Sequence, residues 1–275
     1  MQHLASARSA TSRRLLSVLA LVAATLPLAA AAHAQPRADL SARVDSLFAE
    51  WDRPGSPGCA LGVVQDGRLA YARGYGYANL DHDIPISPKT VFYVASVSKQ
   101  FTAASIVLLA QQGKLSLDDD VRAYIPELPD YGAPITIRHL IHHTSGLRDY
   151  LTLMLLAGMR LEDVHTDEEV LGLVMRQTAL NFAPGERHLY SNTGYLLMAE
   201  IVRRVSGKSL REFADEHIFR PLGMASTHFH DDRTMVVRNR ALAYARNEDG
   251  SFRLDMWTNF DKVGSGGLLA SVEDL

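Results

Sequence analysis

Apolar and polar positions alternate in a way that divides the chain into a helix, a hairpin, a long helical stretch and a mixed end. ADLSARVDSLFAEWD (38–52) repeats Leu40, Val44, Leu47 and Trp51 at helical spacing until Pro54-Gly55-Ser56-Pro57-Gly58 ends it. CALGVVQ (59–65) and RLAYARGYG (68–76) flank Asp66-Gly67 and predict a β-hairpin with a tight turn. A loop with Pro85 and Pro88 leads to a strand-like run, Thr90–Val94. VSKQFTAASIVLLAQQ (97–112) follows, with Val97, Phe101, Ala104 and Leu108 on one stripe and Ile106, Val107, Leu109 and Ala110 filling most of the remainder. A helix apolar nearly all round is a buried one, and Gly113 suits its C-terminal stop.

From about 115 to 220 the chain is mainly helical, broken by turns rich in Pro and Gly. Its clearest amphipathic segments are 161–177 and 192–207, followed by 210–219, which stops at Pro221-Leu222-Gly223. ALAYAR (241–246) and SFRLD (251–255), joined by Asn247-Glu248-Asp249-Gly250, predict a second hairpin. Antiparallel strands with segregated helices indicate α+β architecture: an antiparallel sheet flanked by helices, with a mainly helical subdomain inserted. The regular strand–helix alternation of a doubly wound fold is absent from the pattern.

Composition narrows the function classes. The chain has 275 residues, 47% hydrophobic and 21% charged, as expected for a globular protein with a sizeable core. A net charge of −3 makes no electrostatic case for a nucleic-acid partner. Cys59 is the only cysteine, so no internal disulfide can form, and it reads as a small core residue of its strand. Residues 1–34 carry Arg8, Arg13 and Arg14, an apolar run over 15–32 and the small-x-small site Ala32-His33-Ala34. That is a signal peptide, predicting export to the bacterial periplasm or beyond and a mature domain over 35–275; the alternative is a membrane anchor. No other segment is apolar enough to span a membrane, and a monomer is expected.

The candidate chemistry begins at Ser96-Val97-Ser98-Lys99. Ser-x-x-Lys at a helix start puts a hydroxyl and an amine on one face, one turn apart. Burial and the positive end of the helix dipole both favour a neutral lysine, which can act as the serine's base. The same dipole would stabilise a serine alkoxide. The plainer alternative is that Ser96 only caps the helix and Lys99 reaches water. The pattern alone is weak, since chance supplies it about once in a chain of this length.

Five ordered blocks add weight. They are Thr90 to Thr102, around the serine and lysine; Ile137-Arg138-His139-Leu140-Ile141-His142-His143-Thr144-Ser145-Gly146-Leu147; Phe182-Ala183-Pro184-Gly185; Tyr190-Ser191-Asn192-Thr193-Gly194-Tyr195; and Gly264-Ser265-Gly266-Gly267-Leu268. In content and order they resemble the penicillin-recognising serine hydrolases of the class C β-lactamase type, which include D-alanyl-D-alanine carboxypeptidases and related esterases. The resemblance covers about 37–275. It implies that Ser96 forms an acyl-enzyme, that Lys99 or Tyr190 is the acylation base, and that the Ser96 N–H is an oxyanion donor. It also implies that Asn192, Ser265 and Gly266 contact substrate, with no cofactor. Tyr77-Ala78-Asn79 repeats the Tyr-x-Asn pattern, but at a point where the family places a surface turn.

Relatives carry a further Lys-Thr-Gly or His-x-Gly strand beside the nucleophile. Lys262-Val263-Gly264 fits that pattern superficially but reads as loop, and Ser271 to Leu275 follows soon after it. The expectation is therefore a truncated or partial sequence, with C-terminal strands missing. The resulting reading is an exported serine hydrolase cleaving an amide or ester bond of a small molecule or peptide: a β-lactam, a D-Ala-D-Ala peptide or a small ester. The alternative is a non-catalytic binding protein or an inactive truncated remnant of the same fold.

Two histidine clusters suggest zinc: His139, His142 and His143, and His228 and His230 beside Asp231 and Asp232. Neither supplies a complete ligand set, so no metal is expected. The first cluster instead predicts a helix end, where protonated histidine is favourable. Asp118-Asp119-Asp120 predicts a helix start before Val121.

Overall fold

The computed structural model describes residues 35–255 and 261–275, so the predicted signal peptide lies outside the described residues. The chain divides after Asp52 into two units. In the first, the described residues form α1 (Gln35–Phe48), which begins and ends a few residues earlier than its apolar spacing predicts.

The second unit, Arg53–Leu275, opens with β1 (Cys59–Gln65) and β2 (Arg68–Tyr75), an antiparallel pair. Asp66 and Gly67 have φ of 52° and 70°, the pair of positive angles a two-residue hairpin turn needs. Cys59, expected in the core, is only half-buried. Tyr77-Ala78-Asn79 is not a surface turn: it is strand β3 (Tyr77–Asn79), paired with β4 (Ile84–Pro85), and Ala78 is buried. The strand predicted over 90–94 shortens to β5 (Phe92–Tyr93).

A 3-10 turn over Ala95–Val97 then leads into α2 (Ser98–Gln111). The helical stretch contributes α3 (Ile137–Ile141), α4 (Tyr150–Leu156), α5 (Asp167–Met175), α6 (Asn192–Ser206), α7 (Leu210–Ala214) and α8 (Arg220–Leu222). α5 starts later than its apolar spacing suggests because Thr166 and Glu169 form a capping box there. A π-helical turn, Asp215–Phe219, carries the chain from α7 to α8, so the helical path runs past Phe219 and through Pro221 to Gly223. Asp118 to Asp120 leads into a 3-10 turn, with the Asp120 carboxylate accepting from the Arg122 N–H.

The end of the chain adds β6 (His228–Phe229), the second hairpin β7 (Tyr244–Arg246) and β8 (Phe252–Leu254), and β9 (Leu268–Ala270). β9 pairs antiparallel with β5 on one side and β6 on the other. This is the α+β class expected: small antiparallel sheets with helices packed beside them. α2 and α6 pack together over Ile106, Leu109, Leu197, Met198 and Ile201, all buried. Each such side chain stabilises the fold by about 1.5–3 kcal/mol. That contact fixes the start of α2 beside the start of α6, and β9 fixes the Gly264–Leu268 loop against both.

α2 is more polar inside than the nearly all-round apolar helix predicted. Val107 is exposed, and the buried residues include Ser98, Lys99, Thr102 and Ser105. These polar groups are buried because they have partners. Ser98 Oγ donates to Ala95 O (2.5 Å) and accepts from Leu268 N–H (3.0 Å), and Thr102 Oγ1 donates to Gly264 O (2.8 Å).

Candidate active site

Ser96 sits in the 3-10 turn just before α2, and the turn is held in an uncommon shape. Ala95 has φ of 45°, a left-handed conformation that costs a non-glycine residue on the order of 1 kcal/mol. Val97 N–H to Val94 O, Val94 N–H to Leu268 O and the Ser98 hydroxyl to Ala95 O hold it in place. Strain maintained by surrounding bonds is a mark of a functional turn.

Two side chains converge on Ser96. Tyr190 Oη donates to Ser96 Oγ at 2.7 Å, and Lys99 Nζ lies 3.0 Å from the same atom. Lys99 Nζ also donates to Asn192 Oδ1 (2.9 Å) and to the backbone carbonyl of Ser265 (2.5 Å). Tyr190 and Asn192 arrive together because Asn192 is the first residue of α6 and Tyr190 precedes it by two, across the N-cap Ser191. Lys99 Nζ lies over two rings, 4.7 Å from the Tyr190 centroid and 5.4 Å from that of Tyr195. Lys99 is only 7% exposed, and burial pulls its pKa below the usual lysine range; Tyr190 and the Asp149 charge oppose the shift without cancelling it. The sequence expectation of a lysine inclined to neutrality therefore has its physical cause in the structure.

Gly264 to Gly267 closes the site from below. Gly264 has φ of 109°, and a Cβ there would fall 2.5 Å from Tyr195 O, so only glycine lets the loop lie against α6. Ser265 Oγ is 3.0 Å from Tyr150 Oη, a phenol whose pKa burial pushes far up, so it stays neutral as a donor. Ser265 and Gly266 line a cavity of about 430 Å³ with Ser96, Tyr190, Asn192, Tyr93, Tyr150, Leu151, Leu161 and Lys262. Five of the six residues singled out from the sequence thus line one cavity, and the sixth, Lys99, is bonded to three of them, Ser96, Asn192 and Ser265. Lys262 is in a loop, as expected, buried and paired with Asp167 (2.9 Å). A larger cavity of about 880 Å³ lies beside Arg211, His228 and Arg238 and contains none of these groups.

The second block ends a helix as expected, α3 stopping at Ile141 with His142 next, but His139 and His143 are not favoured in the protonated form. Burial lowers the pKa of His139 and His143. His139 is instead the third residue of α3, where its Nδ1 accepts from Thr136 N–H and completes a capping box. His143 Nδ1 accepts from Ser191 N–H (3.2 Å), and its ring lies 4.5 Å from that of Tyr190 at a 30° tilt. Among the described residues no group of three or more His, Cys, Asp or Glu is placed to hold a metal ion. Nor is any described helix long and apolar enough to cross a membrane.

Sequence reading missed Asp149 and Tyr150. Asp149 Oδ2 accepts from Asn192 N–H (2.6 Å) and Asn192 Nδ2 (2.9 Å), while its Oδ1 caps α4. The readable signal was an aspartate directly before the apolar run YLTLMLL, a helix start. Its link to Asn192, 43 residues away, leaves no local trace.

Comparison with known proteins gives a consistent picture. The beta-lactamase family model matches residues 32–275. The chain is 34% identical over 238 residues to a D-aminopeptidase of Gluconobacter oxydans, covering 86% of this chain and 44% of that protein. It is 35% identical over 183 residues to penicillin-binding protein 4* of Bacillus subtilis, covering 66% of this chain and 40% of the relative. The chain thus spans less than half the length of these curated relatives. Among solved structures, an octameric penicillin-binding protein homologue from Pyrococcus abyssi aligns with a TM-score of 0.73 at 31% identity, over 86% of this chain and 54% of that one. A D-amino acid amidase from Ochrobactrum anthropi SV3 aligns with a TM-score of 0.72 at 26% identity, over 86% of this chain and 68% of the amidase.

Proposed function

Because this chain belongs to the beta-lactamase family, we propose that it is a serine hydrolase that cleaves an amide bond through an acyl-enzyme on Ser96. The observation that carries this reading is the approach of both Lys99 Nζ (3.0 Å) and Tyr190 Oη (2.7 Å) to Ser96 Oγ. Two of the three Lys99 partners, Asn192 Oδ1 and Ser265 O, can only accept. A neutral amine facing them spends both N–H groups there and turns its lone pair to the Ser96 hydroxyl.

Ser96 Oγ attacks the carbonyl carbon as its proton passes to Lys99, and the Ser96 N–H supports the oxyanion. Tyr190 Oη gives its proton to the departing amine and recovers one from Lys99. In the second half, Tyr190 takes a proton from water as its own moves to Lys99. Lys99 then returns a proton to Ser96 Oγ when the carboxylic acid leaves.

The cavity wall of Tyr93, Tyr150, Leu151 and Leu161 suits an apolar side chain. Asp255 adds a carboxylate to the wall, while Asp167 already takes the Lys262 charge. Together with the named activities of the D-aminopeptidase and D-amino acid amidase relatives, this favours an amide of an apolar D-amino acid with a free amino group. A fluorescent fluorophosphonate tests the centre of the reading. It should label the wild-type chain and not Ser96→Ala; labelling that survives Ser96→Ala removes Ser96 as nucleophile. Export is also proposed, on residues 1–34, and N-terminal sequencing of the mature protein should read from Gln35.

A further inference from the structure

We propose that Asp149 is the positioning residue that fixes which way the Asn192 carboxamide faces, and through it turns the Lys99 amine toward Ser96. The inference deepens the acyl-enzyme reading and rests on it. An amide side chain presents an acceptor on one side and donors on the other, and turning it over exchanges them. Asn192 Oδ1 faces Lys99 (2.9 Å) and Nδ2 faces Asp149 Oδ2 (2.9 Å). A carboxylate only accepts, so it admits the Nδ2 side alone.

The same oxygen, Asp149 Oδ2, also accepts from the Asn192 backbone N–H (2.6 Å), gripping the residue at both donors. Asp149 is itself held. Its Oδ1 accepts from Leu151 N–H (3.1 Å) and Thr152 N–H (3.2 Å), and flanking bonds join Tyr150 N–H to Thr193 Oγ1 (2.9 Å) and Thr193 Oγ1 to Arg148 O (2.6 Å). The negative charge also sits at the N-terminus of the 15-residue α6, where the helix dipole favours it.

With an amide in place of the carboxylate, either orientation of Asn192 finds a partner. The turned form would present Nδ2 to Lys99. A neutral Lys99 would then accept from Asn192 with the lone pair that otherwise faces Ser96, and a protonated one would meet donor against donor. The chemistry of Ser96 thus depends on a carboxylate that need not touch the substrate.

Asp149→Asn tests this directly, because the new Oδ1 can still cap α4. Labelling of Ser96 by the fluorophosphonate should slow by about ten- to a hundredfold, the range for losing a charged hydrogen bond. In an Asn192→Ala background the same substitution should change the rate less than about threefold, whereas a purely structural role would cost the same in both. Asp149→Ser, which keeps a capping oxygen without reaching Asn192, should match Asp149→Asn. Unchanged labelling in Asp149→Asn, or an equal loss in both backgrounds, overturns the inference.

A measurement independent of turnover is the NMR titration of the Lys99 ε-carbon. The groups facing Lys99 are Asp149, Tyr190, Tyr195 and His143. Asp149→Asn should move the Lys99 midpoint to lower pH, by less when Asn192 is alanine, and an unmoved midpoint overturns the inference. A wild-type chain that takes no label refutes the hydrolase reading and leaves this titration to decide the positioning role.

Discussion

Lys99 has three hydrogen-bond partners and, when neutral, two protons to give them. The role proposed for it at Ser96 follows from that shortage. Lys99→Ala and Tyr190→Phe should each lower the rate of Ser96 acylation by about 10²–10⁴, the usual contribution of a positioned base or acid; burst kinetics with a reporter amide measure this. The pH dependence has a definite sign. The amine must be neutral to accept the Ser96 proton, and burial lowers its pKa from the ordinary lysine value. Acylation should therefore rise with pH along a limb centred below the ordinary lysine pKa of about 10.4. A rate independent of pH across that range would remove Lys99 as base. The serine, the lysine and Tyr190 were legible because each lies in a short motif at a helix start. Asp149 and Tyr150 were not, because what they do depends on Asn192 and Ser265, 43 and 115 residues away.

At the scale of elements, the start of α2 is fastened to the Gly264–Leu268 loop by polar side chains that an apolar periodicity cannot register. Ser98→Ala would leave Leu268 N–H without its acceptor, at a cost of about 1–3 kcal/mol in a buried setting, while Ala95 O keeps the Ser98 backbone N–H. Urea denaturation should show that loss in the midpoint at an unchanged slope. Gly264→Ala should be worse, because the added Cβ would fall 2.5 Å from Tyr195 O and a φ of 109° strains any side chain. Both hairpins were readable, since Asp66-Gly67 and the Asn247–Gly250 turn punctuate them. The start of α5 was not: apolar spacing pointed to 161, and the Thr166–Glu169 capping box sets it.

Over the whole molecule, the α+β class was evident from segment order, but the sheet joining β5, β9 and β6 was not. β9 has three residues and β5 and β6 two each, and the pairing of β5 with β9 brings residue 92 to residue 270. The fold also buries several histidines in the neutral form. His228 is pushed down to about 4 by burial, with His230 and two arginines adding to the effect. The unfolded chain binds that proton below the ordinary histidine pKa of about 6.5, and the native chain does not until about pH 4. Stability is therefore fully present above about pH 6.5 and lost as pH falls toward 4. Urea midpoints at pH 7 and pH 5 should show the loss, and His228→Gln should reduce it.

Tyr190 is 46% exposed although its hydroxyl touches Ser96, while Lys99 behind it is nearly covered. In the free protein, water therefore reaches the ring over which Lys99 Nζ lies. A substrate large enough to lie across that ring would expel the water and so strengthen the interactions on which proton transfer depends. Chain length in the leaving group then becomes a rate parameter rather than an affinity parameter: a bare amide should suffer in kcat, and an extended peptide should recover it.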